Sequence, residues 1–187
     1  MRISISDNIE GRRILAGGAL GRKLLTALIG TVSSETEPQP LFLDFTDIDI
    51  ATSSFLREGV IGFRDYARGS LKNVYPVVAN AVSAVVEEFD FFLHQRNDAF
   101  WCCDLDTEGA VKNVRLLGEL DPGQRSTFES VRTLGSATAP ELAQKFADGR
   151  IGPTAWNNRL STLAAKGVLV ERRSGRSKSF SSLLEVA

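Results

Sequence analysis

Cysteine and histidine are almost absent from this chain of 187 residues, which has two adjacent cysteines, Cys102 and Cys103, and one histidine, His94. Adjacent cysteines cannot staple distant segments, and their scarcity fits a reducing cytosol, where a free thiol behaves as a small buried hydrophobe. A zinc or two-metal centre needs several such ligands at set spacings, and the sequence does not supply them. No run approaches the ~18 apolar residues that cross a bilayer. The opening segment MRISISDNIEGRR lacks the apolar centre of a signal peptide. Gly11, Gly17, Gly18 and Gly21 make neither GxGxxG nor GxxxxGKS after a strand. No nucleophile–base pair stands out. These absences set the expectation of a cytoplasmic protein that is not an enzyme, carries no cofactor and has no membrane partner.

What is present is an uneven division of charge. Residues 1–120 hold 12 Lys and Arg against 17 Asp and Glu, and residues 121–187 hold 10 against 6. Between Gly149 and Lys178 lie Arg150, Arg159, Lys166, Arg172, Arg173, Arg176 and Lys178, with Glu171 as the one acid after Arg150. An acidic front and a basic back imply that the back alone meets a polyanion.

The front reads as alternating strands and helices. Strands are expected at Arg2–Ser6, Leu41–Phe45, Asn73–Ala79, Ala99–Leu105 and Val111–Leu117, the last two joined by the acidic turn Asp106–Gly109. Between Ile14 and Val32, Leu20, Leu24, Leu25, Leu28 and Ile29 mark a helical stripe. Helices are also expected over Ser53–Ala67 and Val82–Gln95. The fold class is therefore an α/β layer with helices covering a mixed sheet. Gly118–Gly123 reads as a bridge, with Asp121-Pro122-Gly123 a turn. The division is residues 1–120 and 121–187.

The back changes character. A short helix is expected over Thr127–Leu134. Thr138-Ala139-Pro140-Glu141 is a capping box that opens a second helix stopping near Asp148-Gly149. Gly152-Pro153 opens a third, running to Lys166-Gly167, and a basic hairpin follows, turning at Ser174-Gly175. On the third helix Trp156, Leu160, Leu163 and Gly167 point one way and define its core face. The opposite side collects Thr154, Asn157, Asn158 and Ser161, with Arg159 on the flank. Asparagine pairs bidentately with adenine, and serine or threonine bonds several base edges. Arg159 and the hairpin residues Arg172, Arg173, Arg176 and Lys178 suit phosphates or an adjacent minor groove. This segment, PTAWNNRLSTLAAKGVLVERRSGRSKSF, resembles a winged helix-turn-helix DNA-binding domain of bacterial repressor type. The resemblance implies double-stranded DNA as partner and a homodimer on two-fold sites.

In the front, LFLDFTDIDIATSSFLREGVIGF carries the informative pattern: a buried strand ending in Asp44, a polar loop, and Ser53-Ser54 opening an amphipathic helix. It resembles the STAS domain (sulfate transporter and anti-sigma antagonist), closer to its STAS-like relatives. In anti-sigma antagonists the serine at this place is phosphorylated by a partner kinase. The resemblance thus implies Ser53, with Ser54 beside it, as a phosphorylation or docking site for a kinase or anti-sigma-type protein. Thr52 stands where the family has aspartate, and Phe55 where it has glycine. The plainer role for Ser53 is a helix cap. Asp44, Asp47 and Asp49 are expected to be solvated, His94 to lie on the surface, and one of Cys102 and Cys103 to point inward and the other outward.

The leading expectation is a sequence-specific transcription regulator. The competitors are a partner-switch protein whose winged helix docks protein, and an RNA-binding module. The chain has two tryptophans and two tyrosines and none falls in the wing, so the base-stacking platform that the latter needs is thin.

Overall fold

Short apolar segments separated by helices build the first part of the chain. In order they are β1 (Arg2–Ser4), a 3-10 turn (Ser6–Ile9), β2 (Ile14–Leu15), α1 (Gly18–Thr31), β3 (Gln39–Asp44), β4 (Ile50–Ala51), α2 (Ser53–Leu56), a π-helical segment (Arg57–Ile61), α3 (Gly62–Ser70), β5 (Val74–Ala79), α4 (Ser83–His94), β6 (Ala99–Leu105) and β7 (Val111–Gly118). The second part comprises α5 (Pro122–Leu134), β8 (Ser136–Ala137), α6 (Ala139–Lys145), α7 (Pro153–Ala165), β9 (Leu169–Ser174) and β10 (Ser177–Ser182). The computed structural model describes residues 1–146, 151–175 and 177–185. It is a mixed α/β protein with a mainly parallel main sheet, and it divides into two units, Met1–Glu119 and Leu120–Glu185. Among the described residues no helix is long and apolar enough to cross a membrane.

In the first unit the sheet order is β1-β3-β5-β6-β7. The first four strands are parallel and β7 runs antiparallel to β6. Each parallel crossover moves one strand further in the same direction. Right-handed crossovers then place every connecting helix on one face. The core is built accordingly. Leu24 and Leu28 of α1, Phe55 and Phe63 from α2 and α3, and Val85, Phe89 and Leu93 of α4 pack with Leu41, Leu43, Val74, Val78, Phe100, Cys102 and Leu117 of the sheet.

The alternate strand residues Tyr75, Val77, Trp101 and Cys103 point to the other face and are buried too. Cys103 therefore departs from the expected inward–outward alternation, because β6 is buried on both faces. Desolvation pushes the Cys102 thiol up to about 11 and that of Cys103 up to about 12. The thiolate is the reactive form, so both are inert as native thiols. A thiol-reactive disulfide dye should titrate neither cysteine in the native protein at neutral pH and both after denaturation. Rapid labelling of either one in the folded chain would contradict this burial.

Helix α1 starts later than the sequence pattern implies. Ile14 and Leu15 pair in parallel with Ile50 and Ala51 instead. The chain then enters α1 through Gly17 at φ 86°, a conformation glycine adopts without a side-chain clash. One turn on, Gly21 lets α1 cross closely over α2. A Cβ there would lie 2.7 Å from the Phe55 carbonyl oxygen and 2.9 Å from the Glu58 Cβ.

In the second unit the expected turn at Asp121-Pro122-Gly123 is the first turn of α5. The Asp121 carboxylate accepts from the Gln124 amide at 2.8 Å, and Pro122 occupies a first-turn position that needs no N–H donor. The helix thus begins five residues before Thr127. The capping box forms, with the Thr138 hydroxyl accepting from Glu141 N and the Glu141 carboxylate accepting from Thr138 N. Helix α6 ends at Lys145, and Asp148 and Gly149 lie outside the described residues. Ser136 and Ala137 form a short strand that the sequence pattern does not reveal. It joins the hairpin in a three-stranded antiparallel sheet of order β8-β10-β9. Phe128, Val131, Leu142, Trp156, Leu160, Leu163, Val168, Val170 and Phe180 are buried in this unit.

Candidate functional site

Helix α7 carries its buried residues Trp156, Leu160, Leu163 and Ala164 on one side. The exposed side is centred on Asn158. At ~100° per residue, Thr154, Ala155, Ser161, Thr162 and Ala165 all lie within about 60° of it. Thr154, Ala155, Asn158, Thr162 and Ala165 are exposed, and Ser161 is half-buried. The Thr162 hydroxyl donates back to the Asn158 carbonyl at 2.9 Å, which engages the polar atom of this exposed side chain within the helix.

Asn157, expected on this face, lies to one side of it, and Arg159 lies on the flank. Asn157 and Arg159 sit about 100° to either side of Asn158. Asn157 is half-buried and lines a cleft with Thr138, Ala139, Pro140, Ser177 and Lys178. Arg159 folds over the Trp156 ring, its guanidinium carbon 5.8 Å from the centroid. It also lies against Gly123 in the first turn of α5, where an added Cβ would meet the guanidinium carbon at 3.1 Å. Arg159 is thus half-buried and packed within its own unit. Thr162 and Ala155 are members of the exposed face that sequence reasoning missed, although the same helical spacing would have found them.

The hairpin supplies positive charge with one acid inside it. Arg172 and Arg173 are exposed on β9, and Lys178 is half-buried on β10. Register sets Arg173 opposite Lys178 and Glu171 opposite Phe180. The Glu171 carboxylate accepts from Arg173 Nε at 2.7 Å and from Lys178 Nζ at 3.2 Å. Partial burial raises its pKa, but the bonds from Arg173 and Lys178 outweigh that and hold it below the usual value. Glu171 therefore fixes two of the hairpin cations, Arg173 and Lys178. Arg172 is steered differently, donating to the Ser181 hydroxyl at 3.0 Å. Arg176 lies outside the described residues.

In the first unit the cap of α2 is Thr52, whose hydroxyl accepts from Phe55 N. Ser53 is not the cap. Its amide donates to Glu88 Oε1 of α4 at 2.9 Å, and its hydroxyl donates to the same oxygen. Ser54 is half-buried, its hydroxyl 3.1 Å from that of Thr52. Glu88 lies 35 residues from Ser53 in sequence and is a partner that no local pattern reveals.

The three loop acids also separate. Asp49 pairs with Arg13 at 2.7 Å on the surface. Asp44, expected in solvent, is buried at the end of β3. It accepts from Arg2 at 2.6 Å, from Thr46 Oγ1 at 2.7 Å and from Asn80 Nδ2 at 2.8 Å. Burial raises its pKa, and the bonds from Thr46, Asn80 and Arg2 more than offset this, so the net shift is downward. A lowered carboxylate pKa stabilises the fold above its unfolded-state value near ~3.9, and this contribution is lost as pH falls through the lower folded value. Asp44→Asn should cost about 1–3 kcal/mol at neutral pH. Its unfolding midpoint should then fall less than the parent's on acidification, and equal losses in the two proteins would show that Asp44 is not a source of the acid sensitivity.

Among the described residues no three His, Cys, Asp or Glu side chains are grouped to hold a metal ion. Neither the protein-family models nor the curated proteins compared with this chain give a match.

Proposed function

We propose that this protein is a sequence-specific DNA-binding regulator of transcription. In this reading the second unit is a winged helix, with α7 in the major groove and β9–β10 as the wing. The first unit is a STAS-like domain that dimerises the chain or receives a signal. The observation that carries the reading is the succession, within one small unit, of a helix with an exposed hydrogen-bonding face and a hairpin bearing Arg172, Arg173 and Lys178. Base contacts then specify, and cationic contacts to phosphate hold and orient.

Competition between duplex DNA and single-stranded RNA for the intact chain tests this. Duplex DNA should win, with affinity falling steeply as salt rises. Preference for single strands would favour the RNA-binding alternative. Light scattering should give a dimer, since winged-helix proteins on two-fold sites bind as pairs. A monomer both free and on DNA would refute that part.

A partner-switch role is the second reading, and the Ser53–Glu88 contact favours it. A phosphate on Ser53 would bring up to two negative charges against the Glu88 carboxylate and expel it. That would alter the surface formed by α2 and α4, where a kinase or anti-sigma-type protein would dock. Intact mass after co-expression with a candidate kinase tests it, and an unmodified chain would count against this role.

A further inference from the structure

We propose that α7 is built to read A·T base pairs, an inference that rests on the duplex-reading function above. In the major groove adenine offers an acceptor at N7 beside a donor at N6, which one side-chain amide satisfies in both directions. Guanine offers two acceptors, N7 and O6, and is matched best by the paired donors of arginine or by lysine. Thymine adds a methyl group that apolar side chains contact.

The exposed face of α7 has the first and third of these partners and lacks the second. Asn158 stands exposed at its centre, and among the described residues of α7 no cation lies on that face. Around it Ala155 and Ala165 are exposed methyl groups, and exposed Thr162 has its hydroxyl engaged by the helix backbone. The sole cation in α7 is Arg159, and it lies against the Trp156 ring and the first turn of α5. About 100° from Asn158, it stands on the flank of the face and not within it. Asn157 faces the cleft beside Lys178, so the adjacent asparagine pair does not read two adenines. The wing works in the same direction, because the narrow minor groove of A·T tracts attracts arginine. The half-site should hold one adenine opposite Asn158, with thymines next to it.

The test is selection from a random duplex pool by the intact chain and by Asn158→Ala. Each adenine of the recovered site is then replaced by 7-deazaadenine and each thymine by uracil. One 7-deazaadenine should cost the intact chain about 5- to 150-fold in affinity and cost Asn158→Ala little more. Loss of a contacted thymine methyl should cost about fourfold. Recovery of a site whose core requires G·C, or equal 7-deazaadenine losses for both proteins, overturns the A·T reading and leaves the regulator in place. Recovery of no enriched duplex overturns both.

Discussion

Alanine at both Arg172 and Arg173 is expected to weaken duplex binding by about 10- to 50-fold near physiological salt. It should also flatten the log–log salt dependence by about two units. Each cation that neutralises a phosphate releases condensed counterions, contributing close to 0.9 to the slope. Both arginines are exposed on β9, and neither supports the buried core. The loss should therefore appear in binding and leave the unfolding midpoint nearly unchanged. It should be similar on specific and random duplexes, because phosphate contacts carry little sequence information. A variant with the parent's affinity and slope would show that the hairpin is a solvated surface or a protein-docking one.

Arg64→Ala is expected to destabilise the first unit by about 3–5 kcal/mol, the cost of leaving a buried charge without its partner. The Arg64 and Asp98 side chains keep only 7% and 14% of their exposure, with Nη2 3.0 Å from the Asp98 carboxylate. Arg64 also donates to the Ala99 carbonyl and to Asp65, and its guanidinium lies 5.8 Å from the Phe100 ring centre. It thereby ties α3 to the start of β6, next to the Asp98 carbonyl that takes the Glu119 amide at the exit from β7. Removing Arg64 takes the cationic partner from the Asp98 carboxylate, which keeps the Ala99 amide at 2.8 Å. Denaturant unfolding measures the loss, and Arg64→Ala/Asp98→Asn should recover part of it. A change below about 1 kcal/mol would place this pair among ordinary surface contacts.

Periodic features were readable from the chain alone because helix and strand spacing report which face is buried. Trp156, Leu160 and Leu163 orient α7 this way, and the apolar runs of β3 and β5 show strands inside a layered sheet. Competing local signals hid other features. Asp121-Pro122-Gly123 has the composition of a turn, yet the same three residues suit a helix start, and Phe128 and Val131 packing inward extends α5 back to Pro122. The leucines of α1 mark a helix, but Ile14 and Leu15 find a strand partner 36 residues on. Long-range partners were the least legible part. Glu88 at Ser53, Asn80 at Asp44 and Gly123 under Arg159 are set by tertiary packing, and each changes the role that its neighbour's type implies. Asn157 and Asn158 look equivalent as a pair, and one residue of helical rotation separates a cleft from an open face.

The claim at the centre of this account is that duplex DNA meets the exposed face of α7 together with the β9–β10 hairpin. The most direct measurement is an NMR titration of the intact, isotope-labelled chain with a duplex of mixed sequence. The account predicts that the largest shifts fall on Thr154, Asn158, Thr162 and the amides of Leu169–Ser182, with the Asn158 side-chain amide among the most displaced. Largest shifts around Ser53, Ser54 and Glu88, or no shifts at saturating DNA, would contradict it.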